Sequence, residues 1–318
     1  MSSKILWSAN DPGGANAIFP VVEALKARGD EVAGVATGPA LQFARARGLA
    51  VYDAPPFVPN LFLAGTSMGD STDEKIFRTL GSTPSVYVMD AWGNYKGRFS
   101  KDGIDISYMP TKVCVVDEYS KQDAITEGVP ESHIEVTGNP HFDHFADTIT
   151  RAYEDKQLVV FVSQPVSQDV GGAYGFDEYA VLKDVIEVLP DECRLEIRLH
   201  PREQVGKYDA YVGGRISVGE GSLEEALSRA GFVVGMFSPV LLQAAIAGKP
   251  ILSYQPHGVK DNLITNELGL TRKASSHDEL EQALREYAAG TYKNPGDVST
   301  VLPKGATARV VAVIDSLL

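Results

Sequence analysis

The stretch KILWSANDPGGANAIFPVVEALKARGDEVAGVAT, residues 4–37, joins a short apolar run, a glycine-bearing loop, a periodic segment and a second apolar run. Ile18, Val21, Val22 and Leu25 recur at the spacing of one helix face, and Gly29 supplies the stop. KILWSA and EVAGVAT have the length and composition of strands. Repeated strand–loop–helix–strand units imply a parallel sheet with helices on its faces.

Working outward, ALQFARARGL reads as a helix and AVYDA as a strand, followed by an irregular stretch with Pro55, Pro56 and Pro59. PSVYVMDA, KVCVVDE and HIEVTGNP read as further strands, with SKQDAITEGV a short helix between the last two. A second series opens at QLVVFVSQP and continues through the helix YAVLKDVIEVLP and the strands RLEIRLHP and RISVGEG. The helix SLEEALSRA, strand FVVGMFSP, helix VLLQAAIAGK, strand PILSYQP and helix SSHDELEQALREYAAG follow. The polar stretch between GNPHFDHF and YEDKQ marks the boundary. The expected architecture is α/β: two Rossmann-like domains, residues 1–150 and 151–318, facing a central cleft. A C-terminal helix at 304–318 is free to pack back on the first. Ligands of open parallel sheets bind beyond the carboxyl ends of strands, so residues just after strands carry most weight.

Composition narrows the function classes. Hydrophobic residues make up 44% and charged residues 22%, the balance of a soluble globular protein. A net charge of −13 argues against nonspecific nucleic-acid binding and against a strongly basic membrane face. A local cationic patch, and with it peripheral membrane contact, stays open. Cys114 and Cys193 sit in apolar strand-like contexts without metal-ligand spacing, as buried thiols in a reducing cytoplasm do. No segment approaches 18 apolar residues and MSSKILWSAN lacks a basic n-region, so a cytoplasmic protein without a transmembrane segment is expected.

Five motifs follow strands. In SANDPGGANAIFP, Gly13 and Gly14 permit close approach of a ligand to the backbone where a helix begins, and Asp11 is the adjacent carboxylate that qualifies as a general base. Neither a Gly-Lys-Ser/Thr nor a GxGxxG pattern is present, and a plain tight turn is the alternative. VMDAWGNYKGRF gathers Asp90, Trp92, Asn94, Tyr95 and Arg98, which suits a polyhydroxylated acceptor or else a surface loop anchored by Trp92. VTGNPHFDHF carries His141, Asp143 and His144, but a turn without a second ligand cluster is a poor metal site, and none is expected.

LHPRE and FSPVLLQA are the strongest pair. His200 at a strand end is expected to donate to a phosphate oxygen, with Arg202 adding a forked cationic contact. Ser238 precedes Pro239, a favoured first helical residue, and is read as an N-cap whose hydroxyl and neighbouring amides face an anion; helix capping alone is the plainer account.

These residues resemble the GT-B class of nucleotide-sugar-dependent transferases. GGANAIFPVVEALKARGDEV is similar to the Gly-Gly…Pro loop and first helix of that fold, as in the peptidoglycan N-acetylglucosaminyltransferases, but the spacing is longer and their histidine after the glycines is missing, with Asn16 a poor substitute. FSPVLLQAAIAGKPILSY resembles the C-terminal motif of CDP-glycerol glycerophosphotransferases and polysialyltransferases, which pair His-Pro with Ser-Ser or Ser-Thr. Here the second motif is Ser-Pro, and Gln243 stands where the glycerophosphotransferases usually carry an acid. The non-hydrolysing UDP-N-acetylglucosamine 2-epimerases share the fold, but their Ser-Gly-Gly…Glu-Glu pattern is absent. NELGLTRKASSHDELEQAL resembles the closing segment of GT-B C-terminal domains, and VMDAWGNYKGRF is similar to GT-B-like proteins of surface polysaccharides.

The resemblance implies an N-terminal acceptor domain and a C-terminal donor domain. The expected enzyme is metal-independent and needs no cofactor. It would move a sugar or polyol phosphate from a nucleotide-sugar or nucleotide-polyol donor to a cell-envelope glycan or lipid-linked acceptor. Asp11 and His200 would be catalytic. Gly13, Gly14, His200, Arg202, Ser238, Pro239 and Gln243 would hold the donor, and Asp90, Trp92, Asn94 and Tyr95 the acceptor. A nucleotide-sugar epimerase of the same fold and a catalytically silent binding subunit are the alternatives.

Overall fold

In the computed structural model the described residues are 2–67, 71–100, 104–149, 154–257 and 261–318. They form two compact units, Met1–His144 with Val301–Leu318, and Phe145–Thr300. No helix of the described residues is long and apolar enough to cross a membrane.

Unit 1 holds β1 (Lys4–Ala9), β2 (Glu31–Ala36), β3 (Leu61–Gly65), β4 (Ser85–Val88), β5 (Lys112–Val115) and β6 (Ile134–Val136). They form one parallel sheet in the order β2-β1-β3-β4-β5-β6. Its helices are α1 (Pro12–Ala27), α2 (Gly38–Ala46), α3 (Thr72–Thr79), α4 (Tyr95–Arg98), α5 (Glu118–Thr126) and α6 (Pro140–Thr148). Period-two alternation splits each strand between two cores. Ile5, Trp7, Leu61 and Leu63 pack with Ile18, Val22 and Leu25 of α1, whereas Leu6, Phe62, Tyr87 and Val113 pack with Ile76, Phe99 and Tyr108. Burial on both faces is why these strands read as nearly continuous apolar runs.

Two expectations for this unit need correction. AVYDA makes only an isolated bridge, Gly34 to Val51. The strand beside β1 is instead β3, LFLAG, which follows three prolines and is too short to show a period of its own.

Unit 2 holds β7 (Asp155–Val162), β8 (Arg194–Arg198), β9 (Ile216–Val218), β10 (Ala230–Gly235), β11 (Ile251–Tyr254) and β12 (Arg272–Ala274), all parallel, in the order β12-β11-β10-β7-β8-β9. Its helices are α7 (Val166–Val170), α8 (Glu178–Glu187), α9 (Leu223–Arg229), α10 (Val240–Ile246), α11 (Ile264–Glu267) and α12 (His277–Ala288). The three-residue edge strand β12 was not anticipated. In each unit, successive crossovers leave one strand in opposite directions: between β1 and β3, and between β7 and β10. Such switch points open a crevice at the carboxyl ends of the strands.

After α13 (Val298–Val301) the chain ends in α14 (Ala306–Asp315), which belongs to unit 1. Val310 and Ile314 join the core around α1. Asp143 caps the helix, accepting hydrogen bonds from the Gly305 amide (2.8 Å), the Thr307 amide (2.9 Å) and the Thr307 hydroxyl (3.1 Å). Arg309 Nε donates to the Thr137 carbonyl at 2.8 Å. The carboxylate of the PHFDHF motif is therefore committed to holding the chain's last helix; the side chain of His144 lies outside the described residues.

Candidate functional site

In unit 2 the two turns singled out in the sequence end β8 and β10, with β7 between them, so their strands are about 10 Å apart on one edge of the sheet. Gln164, at the end of β7, ties the pair together: its Oε1 accepts from the Phe237 amide at 3.0 Å. Ser253 Oγ donates to the Met236 carbonyl at 2.5 Å, bracing the same turn from β11. Ser238 is buried, and its Oγ accepts from the Val240 amide at 3.3 Å. That is N-cap behaviour. Pro239 has helical dihedrals one residue before the first residue of α10, a difference within the ordinary uncertainty of helix ends. Gln243 is half-buried on α10, and no described group donates to its buried Oε1.

The His-Pro turn is more tightly specified. The Arg202 amide donates to Nδ1 of His200 at 3.1 Å, and the His200 amide donates to Glu203 Oε2 at 2.7 Å. Burial first, and the charge of Arg202 second, push the His200 pKa below its usual value against the pull of Glu203 and Asp169. A neutral imidazole with an accepting Nδ1 carries its proton on Nε2, so the ring keeps one N–H donor. Arg202 differs from expectation. Its exposed guanidinium makes a two-pronged contact to Asp169, at 2.8 and 2.5 Å, so it holds α7 in this structure rather than standing free for a phosphate.

In unit 1 the glycine loop also has a different use from the expected phosphate cradle. A Cβ on Gly13 would fall 1.9 Å from Asp90 Oδ2, and one on Gly14 would fall 2.8 Å from the Thr66 carbonyl. The glycines let α1 sit against the ends of β3 and β4. Asp90 is held there by Arg98 at 2.7 Å and by Thr66 Oγ1 at 3.3 Å; Arg98 also donates to Thr66. Asp11 lies one turn away, accepting from Asn10 Nδ2 at 2.8 Å. Asp11, after β1, and Asp90, after β4, thus share the carboxyl edge of one sheet, Asp11 at its switch point and Asp90 reaching Gly13 beside it.

The rest of the expected acceptor loop is largely structural. Tyr95 is fully buried and donates to the Ser120 carbonyl at 2.8 Å, so it cannot touch an acceptor. Asn94 takes a left-handed conformation (φ 62°) to start α4, with its amide on Glu127. Trp92 stacks near Phe142 and donates to Asp117 at 2.8 Å. Of the named cluster, Asp90, the half-buried Trp92 and the exposed Asn94 remain candidates for ligand contact.

Sequence reasoning missed Asp73, which is wholly buried at the start of α3 near Asp11. Burial pushes its pKa up to about 6, with a smaller contribution from the charge of Asp11. Its only sequence signal is an acid in the first turn after the Ser71 cap, which ordinarily means an exposed, dipole-stabilised group.

No family model matches the chain, and no curated protein matches it in sequence. Solved structures do match. The UDP-GlcNAc 2-epimerase from Methanocaldococcus jannaschii gives a TM-score of 0.70 at 14% identity, over 98% of this chain and 99% of that one. The Neisseria meningitidis UDP-GlcNAc 2-epimerase bound to UDP-GlcNAc gives 0.65 at 14%, over 98% and 100%. The glycotransferase of kitacinnamycin gives 0.67 at 16%, over 100% of both chains. The chain has the GT-B fold. In this GT-B protein the clusters around Asp90 and His200 each lie where an open parallel sheet presents its loops to ligands.

Proposed function

We propose that this protein is an enzyme acting on a nucleotide-activated sugar, and that it changes the configuration of that sugar rather than transferring it. The observation that supports this most is its likeness in fold to UDP-GlcNAc 2-epimerases over nearly the full length of both chains. The chemistry of the two switch points agrees with it. Unit 2 offers the Nε2–H of His200 as a phosphate donor, the Ser238 turn braced by Gln164, and the unpartnered acceptor of Gln243. Unit 1 carries Asp11 and Asp90, carboxylates of the kind that acid–base chemistry at a sugar carbon requires. Arg98 keeps Asp90 oriented.

The epimerases' Ser-Gly-Gly…Glu-Glu pattern is absent, so on this reading the Ser238–Gln243 segment would have to recognise its ligand through different groups. A transferase with a cell-envelope glycan or lipid-linked acceptor is the second reading, supported by the similar TM-score to a glycotransferase. Incubation with UDP-GlcNAc alone separates them. An epimerase produces a second sugar nucleotide without acceptor and without accumulating UDP, whereas a transferase leaves the donor intact until an acceptor is added and then releases UDP mole for mole.

A further inference from the structure

Asp73 is an acid in a buried position, where a carboxylate is costly. Its side chain is 0% exposed, and no described group hydrogen-bonds to either carboxylate oxygen. Its own backbone amide and the Ser71 and Ser67 hydroxyls lie close enough to favour the anion, but none makes a hydrogen bond of normal geometry to it. The described groups around it offer no free positive charge. Asp11 comes from the start of α1, Tyr87 from β4 and Tyr108 from the segment packed on β4, while Glu74 and Arg78 share its own helix. Arg78 is spent on Glu74 Oε1, at 2.8 and 2.7 Å. Burial of a carboxylate without a partner favours its protonated form.

Its neighbour in sequence leads elsewhere. Thr72 Oγ1 is 2.7 Å from Thr37 Oγ1, which is 2.7 Å from Asn10 Oδ1, and Asn10 Nδ2 donates to Asp11 Oδ1 at 2.8 Å. This chain connects the first turn of α3 to the carboxylate of Asp11 through the loops after β2 and β1. We propose that Asp73 is a positioning residue for Asp11: with Asp73 protonated, the first turn of α3 stays seated and the Thr72–Thr37–Asn10 chain fixes the Asp11 carboxylate. Ionisation of Asp73 puts an unpaired anion into the core, unseats that turn and releases the chain. The functional meaning of this coupling rests on the reading of Asp11 as an acid–base group. The coupling itself does not.

The test is a pH titration of the full chain labelled with ¹³C at aspartate carboxyls, with the Asp11 signal assigned by its loss in Asp11→Asn. The wild type is expected to show a step in the Asp11 shift with its midpoint near pH 6. Asp73→Asn, which mimics the protonated acid at every pH, removes the step. Thr72→Val and Thr37→Val, which leave Asp73 in place but cut the chain, shrink it by at least half and remain informative if Asp73→Asn fails to fold. A wild-type Asp11 signal without that step overturns the proposal, and so does a step that survives Asp73→Asn or is unchanged in both threonine variants. No nucleotide enters the titration, so its failure leaves the proposed function standing. Failure to bind UDP leaves the coupling standing.

Discussion

The Arg202 amide donates to Nδ1 of His200 at 3.1 Å, and this one contact sets which ring nitrogen carries the proton. Neutral His200 therefore presents Nε2–H, and burial keeps it neutral to lower pH than usual. His200→Ala is expected to weaken UDP binding by roughly tenfold, the worth of one hydrogen bond to a charged group. Calorimetric titration with UDP checks it, and binding should persist at pH 8 because the neutral ring is the donor.

Arg202 should matter less. Its pair with Asp169 is exposed and screened by solvent, so Arg202→Ala should leave stability nearly unchanged. Asp169→Asn loosens one prong of that contact and frees the guanidinium to swing toward a bound phosphate. UDP affinity equal to or above wild type is expected for Asp169→Asn, measured beside Arg202→Ala in the same titration.

The glycine loop gives a test of packing. Gly14→Ala drives a methyl group to 2.8 Å from the Thr66 carbonyl, where only backbone movement makes room. A loss of about 1–3 kcal/mol is expected by urea unfolding. Gly172→Ala meets nothing within 4 Å and serves as the control, with little change expected.

Asp73 carries a pH-dependent penalty. Its folded pKa of about 6 lies above the ordinary aspartate value, so the native state binds the extra proton. The native state bears no cost below about pH 4, where both states are protonated. The cost grows between about pH 4 and 6 and levels off near 3 kcal/mol above that. Asp73→Asn should therefore raise stability by about that amount at pH 8 and by nearly nothing at pH 3.5, as read from denaturation midpoints at the two pH values.

Much of this was legible beforehand, for reasons that also mark the limits. Strands buried on both faces announce themselves as apolar runs, and helices such as α1 and α12 by their period, so two parallel sheets followed from the alternation. LFLAG and the three-residue β12 were not legible, because a strand that short has no period and its pairing is decided by neighbours far along the chain. His200 and Ser238 were placed on one sheet edge because both follow strands. Side-chain direction after a strand is another matter. Nothing in VMDAWGNYKGRF distinguishes Asp90, which lies against Gly13, from Tyr95, which turns into the core. Arg202 drew attention as a cation, but the acid that holds it sits 33 residues away. Asp73 went unnoticed because an acid in the first turn of a helix is ordinarily exposed, and only its tertiary burial makes it unusual.

The central claim is tested most directly by following UDP-GlcNAc by proton NMR in the presence of the protein and no acceptor. The account predicts a second set of sugar-nucleotide anomeric signals growing to an equilibrium ratio, without free UDP. A spectrum unchanged over many hours at high enzyme concentration, with no line broadening to report binding, would contradict it.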